Sequence, residues 1–111
     1  MEKIEKPWGY EEILIKDSLF ITKRIFIKSG HRLSLQFHNK KNEAWLILRG
    51  RGKITKGFYT TYYGNGIGKV ECIPAGIPHR IEAKEDTELI EVSTPELDDI
   101  VRLEDNYGRV N

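Results

Sequence analysis

Glycine and proline punctuate this chain at short, even intervals, and the stretches between them alternate. Leu19-Phe20-Ile21-Thr22-Lys23-Arg24-Ile25-Phe26-Ile27 sets β-branched and aromatic side chains in period two and stops at Ser29-Gly30, as a half-buried strand does. The same reading gives strands over 32–38, 43–48, 53–56, 70–73, 79–83 and 88–93. Asn39-Lys40-Lys41-Asn42 is a tight turn from which 43–48 returns antiparallel, and Arg49-Gly50-Arg51-Gly52 closes that strand. Within Tyr63-Gly64-Asn65-Gly66-Ile67-Gly68, the Asn-Gly pair supplies the positive-φ positions of a tight hairpin. Only 97–103 reads as a short helix, started by Asp98-Asp99 and leading into a C-terminal tail. Short strands spaced this evenly build an all-β barrel or jelly roll. With 111 residues and no repeat or linker there is room for one core, so 1–111 reads as a single domain.

Charge and cysteine use narrow the setting. Acids and bases nearly cancel to a net charge of +1, which speaks against a nucleic-acid partner. The lone Cys72 precludes an internal disulfide and suits a reducing, cytoplasmic compartment. Its strand context reads as a buried thiol. No apolar run reaches membrane-spanning length, and the opening Met1-Glu2-Lys3-Ile4-Glu5-Lys6 lacks the apolar centre of a signal peptide. Pro7-Trp8-Gly9-Tyr10 is too aromatic to dangle in water and is expected against the barrel.

Parity then says which side chains share the interior. Gln36 and His38 lie on one face of their strand, with Arg32 and Ser34, while Leu33, Leu35 and Phe37 take the other. From Glu43, Trp45 and Ile47 turn inward. In the earlier strand the inward set is Leu19, Ile21, Ile25 and Ile27, and it takes Lys23 with it. A lysine there must reach either solvent or a partner. His31 has the opposite parity at a turn and reads as solvated. A second imidazole, His79, follows Pro74-Ala75-Gly76-Ile77-Pro78. Gln36, His38, Glu43 and His79 together form a nitrogen and oxygen donor set suited to one divalent ion such as Zn, Mn, Fe, Co or Ni.

The spacing carries a resemblance. Gly30, Gln36, His38, Glu43 and Gly50 form one block, and Gly68, Pro74, Gly76 and His79 a second, with 17 residues between Gly50 and Gly68. The two blocks resemble the paired motifs of the cupin superfamily, small double-stranded β-helix barrels with a metal at one mouth. Gln36 stands where the first motif usually has histidine. Lys6-Pro7-Trp8-Gly9-Tyr10-Glu11, then Leu33-Ser34-Leu35-Gln36-Phe37-His38, then Asp98-Asp99-Ile100-Val101-Arg102-Leu103-Glu104-Asp105-Asn106-Tyr107-Gly108-Arg109 are similar to the type II phosphomannose isomerase domain. That domain often follows a mannose-1-phosphate guanylyltransferase and commonly has glutamine at the first ligand position. Two departures from its pattern are Asn39-Lys40-Lys41-Asn42, where a histidine and an arginine are usual, and Ala44, where a histidine follows the glutamate.

The resemblance implies a metal-dependent interconversion of mannose 6-phosphate and fructose 6-phosphate, with Arg109 and Arg102 of the tail acting in it. Polarising the carbonyl is the metal's part, and the sugar phosphate needs a cationic anchor. Lys23 joins the catalytic candidates, and Arg32, Ser34 and Lys40 the substrate-binding ones. For the base, Lys23, Lys40, Glu91 and a metal-bound hydroxide stay open. Another sugar or sugar-phosphate isomerase or epimerase is the alternative enzyme, and a non-catalytic metal- or sugar-binding cupin the alternative class. Glutamine at position 36 argues against an iron dioxygenase. Phe58, Tyr59, Tyr62 and Tyr63 read as interface or core residues rather than a sugar platform, and a homodimer on strand edges is expected.

Overall fold

The computed structural model describes residues 2–64, 69–96 and 98–110. Eleven strands run through them: β1 (Glu2–Lys6), β2 (Gly9–Lys16), β3 (Ile21–Ile27), β4 (Leu35–Phe37), β5 (Glu43–Arg49), β6 (Gly52–Lys56), β7 (Tyr59–Tyr63), β8 (Lys69–Ile73), β9 (His79–Ala83), β10 (Thr87–Ser93) and β11 (Val101–Glu104). They form two antiparallel sheets, ordered β1-β2-β3-β10-β5-β8 and β11-β4-β9-β6-β7. The core between them is built of Trp8, Ile25, Ile27, Trp45, Ile47, Ile54, Tyr63, Ile73, Ile81 and Leu89. Among the described residues no helix is long and apolar enough to cross a membrane.

Most expected strands are present, and four details differ. The segment 97–103 is not helical where it is described; Val101–Glu104 pairs with β4 as an edge strand, because the sheet there has unpaired backbone to offer. Residues 43–48 do not return beside 32–38. β4 lies in the five-stranded sheet and β5 in the other, so 39–42 crosses between sheets. Cys72 is exposed on β8, since its buried neighbours Glu71 and Ile73 take the inward parity. Leu19 is 75% exposed, because the strand starts only at Ile21. The Asn65-Gly66 turn lies outside the described residues.

The first two strands were hidden in a segment rich in charge. Trp8 turns β1 into β2 and is buried, and its carbonyl accepts from the Lys28 amide at 2.9 Å. Gly9 follows because no side chain fits: a Cβ there would stand 1.9 Å from the Phe26 carbonyl oxygen.

Register along three neighbouring strands grades the interior from apolar to polar. Leu89 of β10 lies between Ile25 and Ile47, and two residues on Glu91 lies between Lys23 and Trp45. Two further on, Ser93 lies between Ile21 and Glu43. The apolar end is a closed core. The polar end opens into a cavity of about 440 Å³ lined by Gln36, His38, Glu43 and Glu91 among others.

Candidate metal centre and its cavity

Three ligands meet at the polar end from opposite sheets. His38 leaves β4, His79 opens β9 and Glu43 opens β5, and all three are buried. His79 Nε2 lies 3.0 Å from Glu43 Oε1, and His38 Nε2 lies 3.5 Å from Glu43 Oε2. The two imidazole rings are 5.1 Å apart, and Trp45 meets the His79 ring edge-on at 5.6 Å.

Backbone contacts decide which nitrogen each histidine offers. His79 Nδ1 donates to the Ile77 carbonyl at 2.8 Å, and His38 Nδ1 donates to the Asp99 carbonyl. In the tautomer with the proton on Nδ1, each ring turns its Nε2 lone pair towards the Glu43 carboxylate. His38 Nε2, His79 Nε2 and Glu43 Oε2 are buried and have no hydrogen-bond partner. Lone pairs facing a carboxylate are costly to bury unless a cation lies between them. The three ligand atoms lie within 4.8 Å of one another. Ligands about 2.0–2.3 Å from one ion lie at most about 4.6 Å apart, so little contraction would bring them onto a divalent ion. The donor set fits such an ion, with each Nδ1 held from behind as metal-binding histidines require.

The turn over 39–42 is built around an acid. Asp99 accepts from the backbone N–H groups of Asn39, Lys40 and Lys41 at 3.0, 2.6 and 2.9 Å. These bonds, led by that from Lys40, lower its carboxyl to about 2. Through its carbonyl the same residue also orients His38, so the segment read as a helix start is a brace for the metal centre.

Charge inside the cavity is paired. Burial pushes the Glu43 carboxyl up, but the His38 and His79 rings beside it and the Lys41 charge pull it well below the usual carboxylate range. Lys41 Nζ lies 3.3 Å from Glu43 and 3.8 Å from Glu91. Burial opposes the Lys41 ammonium, yet Glu91 and Glu43 outweigh it and raise its pKa. Lys23 is buried with its ammonium 3.1 Å from Glu11, so it found a partner rather than the rim.

The remaining residues singled out in the sequence fall into two groups. Gln36 is opposite His79 in the register and lines the cavity, its Oε1 accepting from the buried Ser34 hydroxyl at 3.3 Å. Ser34, Lys23, Arg102 and Arg109 line it too. Arg109 is gripped by Asp105 through Nε at 2.8 Å and a terminal nitrogen at 2.9 Å. Arg102 sits near enough that burial, and then the Arg109 charge, disfavour its cation. Arg32 and Lys40 are not in the cavity wall. Arg32 is held outside by Asn106 and Glu82, and Lys40 is exposed on the turn. The lysine that enters is Lys41. Its parity with Glu43, two residues on, was the signal for it. His31 is not simply solvated either: its ring stacks on Tyr107 and Nδ1 lies 2.6 Å from the Tyr107 hydroxyl, strapping the tail to the barrel.

Residues 1–105 match the family model described as mannose-6-phosphate isomerase C-terminal. The chain belongs to that family. Among its relatives are the xanthan biosynthesis protein XanB of Xanthomonas campestris, 37% identical over 96% of this chain, and a mannose-1-phosphate guanylyltransferase of Klebsiella pneumoniae, 32% identical over 96%. The chain spans about a quarter of each, 24% and 23%. Solved structures place the fold among the cupins. An RmlC-like cupin from Shewanella frigidimarina superposes with a TM-score of 0.78 at 13% identity, covering 87% of this chain and 86% of that one. CapF, a capsular polysaccharide assembling protein of Staphylococcus aureus, gives 0.77 at 23% identity, covering 94% of this chain and 32% of that one. The domain is a small all-β cupin barrel of a family whose relatives serve sugar-nucleotide and polysaccharide synthesis.

Proposed function

We propose that this domain is a divalent-metal-dependent aldose–ketose isomerase that interconverts mannose 6-phosphate and fructose 6-phosphate. One juxtaposition carries the reading: His38 and Glu43 of the donor set, with His79 joined to Glu43, line the same cavity as Arg102 and Arg109 of the tail. A sugar phosphate needs both ends of that arrangement. When bound, the ion supplies a Lewis acid for the carbonyl and the vicinal oxygen. The chain's own residues do the rest. Gln36, with Ser34 behind it, presents an amide oxygen from the same wall as the donors. Arg102 and Arg109, whose charges repel, gain by taking an anion between them, as the phosphate of the substrate or its developing oxyanion. Trp8 and Ile25 keep the floor of the cavity apolar. The names of the relatives, which include an alginate biosynthesis protein of Pseudomonas aeruginosa, support supply of activated sugars to polysaccharides. A lone thiol supports a reducing, cytoplasmic setting for that chemistry.

Arg109 separates the enzyme from its rival. Removing a charge-assisted bond to substrate costs about 1.5–3 kcal/mol, so Arg109→Ala is expected to lower turnover of mannose 6-phosphate tenfold to a hundredfold. The variant should fold and retain divalent-ion stabilisation. Wild-type turnover in it would strip the tail of a catalytic role. The second reading, a non-catalytic metal- or sugar-binding cupin, draws on the Asp105 grip, which already satisfies much of that guanidinium. Absence of turnover in the wild type across a panel of aldose and ketose phosphates, including those of other isomerases and epimerases, would favour it.

A homodimer belongs to the same proposal. Phe20, from the first half of the chain, is exposed together with Leu19, Leu46, Val70 and Val92 on the outer side of the six-stranded sheet. The expected dimer is placed on this face rather than on the strand edges, since an exposed apolar patch favours association. Sedimentation should give twice the 12.9 kDa chain mass, and Phe20→Glu should return the monomer; a monomer at every wild-type concentration would exclude it.

A further inference from the structure

Glu91 occupies the middle of the polar half of the barrel and has no part in the donor set. It lies on β10 between Lys23 of β3 and Trp45 of β5, is 6% exposed, and lines the cavity. Its Oε2 is buried without a hydrogen-bond partner. The Lys41 ammonium lies between it and the metal centre, 3.8 Å from Glu91 Oε2 and 3.3 Å from Glu43 Oε2. The charged groups facing it are Glu11 and Lys23 on one side and Lys41 and Glu43 on the other. Its nearest charged neighbours have partners of their own. Lys23 is bonded to Glu11, and Glu43 belongs to the histidines.

We propose that Glu91 takes and returns the carbon-bound proton of the sugar, with the Lys41 ammonium keeping its carboxylate beside the metal centre. The assignment rests on the isomerase reading above. In the aldose-to-ketose direction, the carboxylate oxygen takes the proton from the carbon next to the carbonyl. The pair from that broken C–H bond becomes the C=C bond of an enediolate, and the carbonyl π pair moves onto oxygen. Glu91 then returns its proton to the former carbonyl carbon, while the hydroxyl proton passes between the two vicinal oxygens. Protons and electrons balance with no co-reactant. Burial first, and the Glu43 charge second, raise the Glu91 carboxyl to about 7 against the pull of Lys41 and Lys23. Burial alone favours the protonated form of this carboxyl, so it can hold the proton between abstraction and return.

The test compares Glu91→Gln with wild type in two ways. One is turnover of mannose 6-phosphate with deuterium uptake from D2O, using protein loaded with Mn, Co or Zn. The other is the melting temperature of metal-free protein from pH 5 to 8. A carboxyl raised from 4.5 to about 7 holds a proton in the folded state that the unfolded chain has lost. It therefore stabilises at low pH, and that contribution fades as pH rises through about 7. Glu91→Gln should lose this fall in melting temperature, keep the ion-dependent stabilisation, and lose at least about a hundredfold in turnover and exchange. Active wild type beside an equally active Glu91→Gln, or an unchanged pH slope in the variant, overturns the assignment alone. Wild type inactive on every hexose 6-phosphate overturns the isomerase reading and the assignment with it. Should the amide not fold, Glu91→Asp carries the test: it should keep the slope and lose turnover about tenfold, and full turnover would overturn the role.

Discussion

Glu43→Gln is expected to remove most of the divalent-ion stabilisation while leaving the barrel folded. The amide has the volume of the acid but not the charge that draws a cation between His38 and His79. Removing a carboxylate ligand should weaken binding at least as much as loss of an outer-shell partner, which costs tenfold to a hundredfold. At an ion concentration 100 times the wild-type dissociation constant, binding adds about 2.7 kcal/mol to folding stability. A hundredfold weaker variant retains about 0.4 kcal/mol by the same relation. In a domain of this size the difference is roughly 10 °C in melting temperature. Scanning calorimetry with Zn, Mn and Co, together with metal analysis of dialysed protein, checks it. Equal shifts in wild type and variant would move the ion elsewhere or remove it altogether.

Trp8→Ala should cost more intrinsic stability than Glu43→Gln. The indole is 3% exposed and sits in the core with Ile25 and Ile27, although it belongs to a turn near the start of the chain. Emptying a site of that size costs about 3–5 kcal/mol, against a total of roughly 5–15 kcal/mol for a domain. The metal-free melting temperature is expected to fall by more than about 12 °C, and the loss should persist at saturating ion. A drop under about 3 °C would mean that β1 and β2 lean on the barrel without completing its core. The contrast between the two variants is diagnostic, since one loses ligand-dependent stability and the other intrinsic stability.

Much of this was legible because a strand has only two faces. Once Gln36 and His38 pointed inward, Ser34 had to follow, and Trp45 and Ile47 had to follow Glu43; all are buried as that parity requires. Lys23 went inward by the same rule. The family was legible as well, because the glycine, proline and ligand positions recur at fixed intervals whatever fills the rest. The turn before Glu43 was misread for a reason local chemistry cannot supply. Four residues suit a hairpin and a crossover equally, and the choice is made by Asp99, about sixty positions away, which gathers three amides of that turn.

What periodicity determined, then, is which residues are inside and which donors are available. What it left open is who meets whom across the barrel. Lys41 rather than Lys40 enters the cavity, Arg32 is drawn off by Glu82, and Arg109 is held by Asp105 at the cavity wall. His79 reaches Glu43 only because two sheets close face to face, and Glu91 lies between Lys23 and Trp45 only because β10 inserts between β3 and β5. Side-chain parity is set by the geometry of one strand, but pairing, desolvation and proton affinity depend on strand order and sheet closure, which no local pattern encodes.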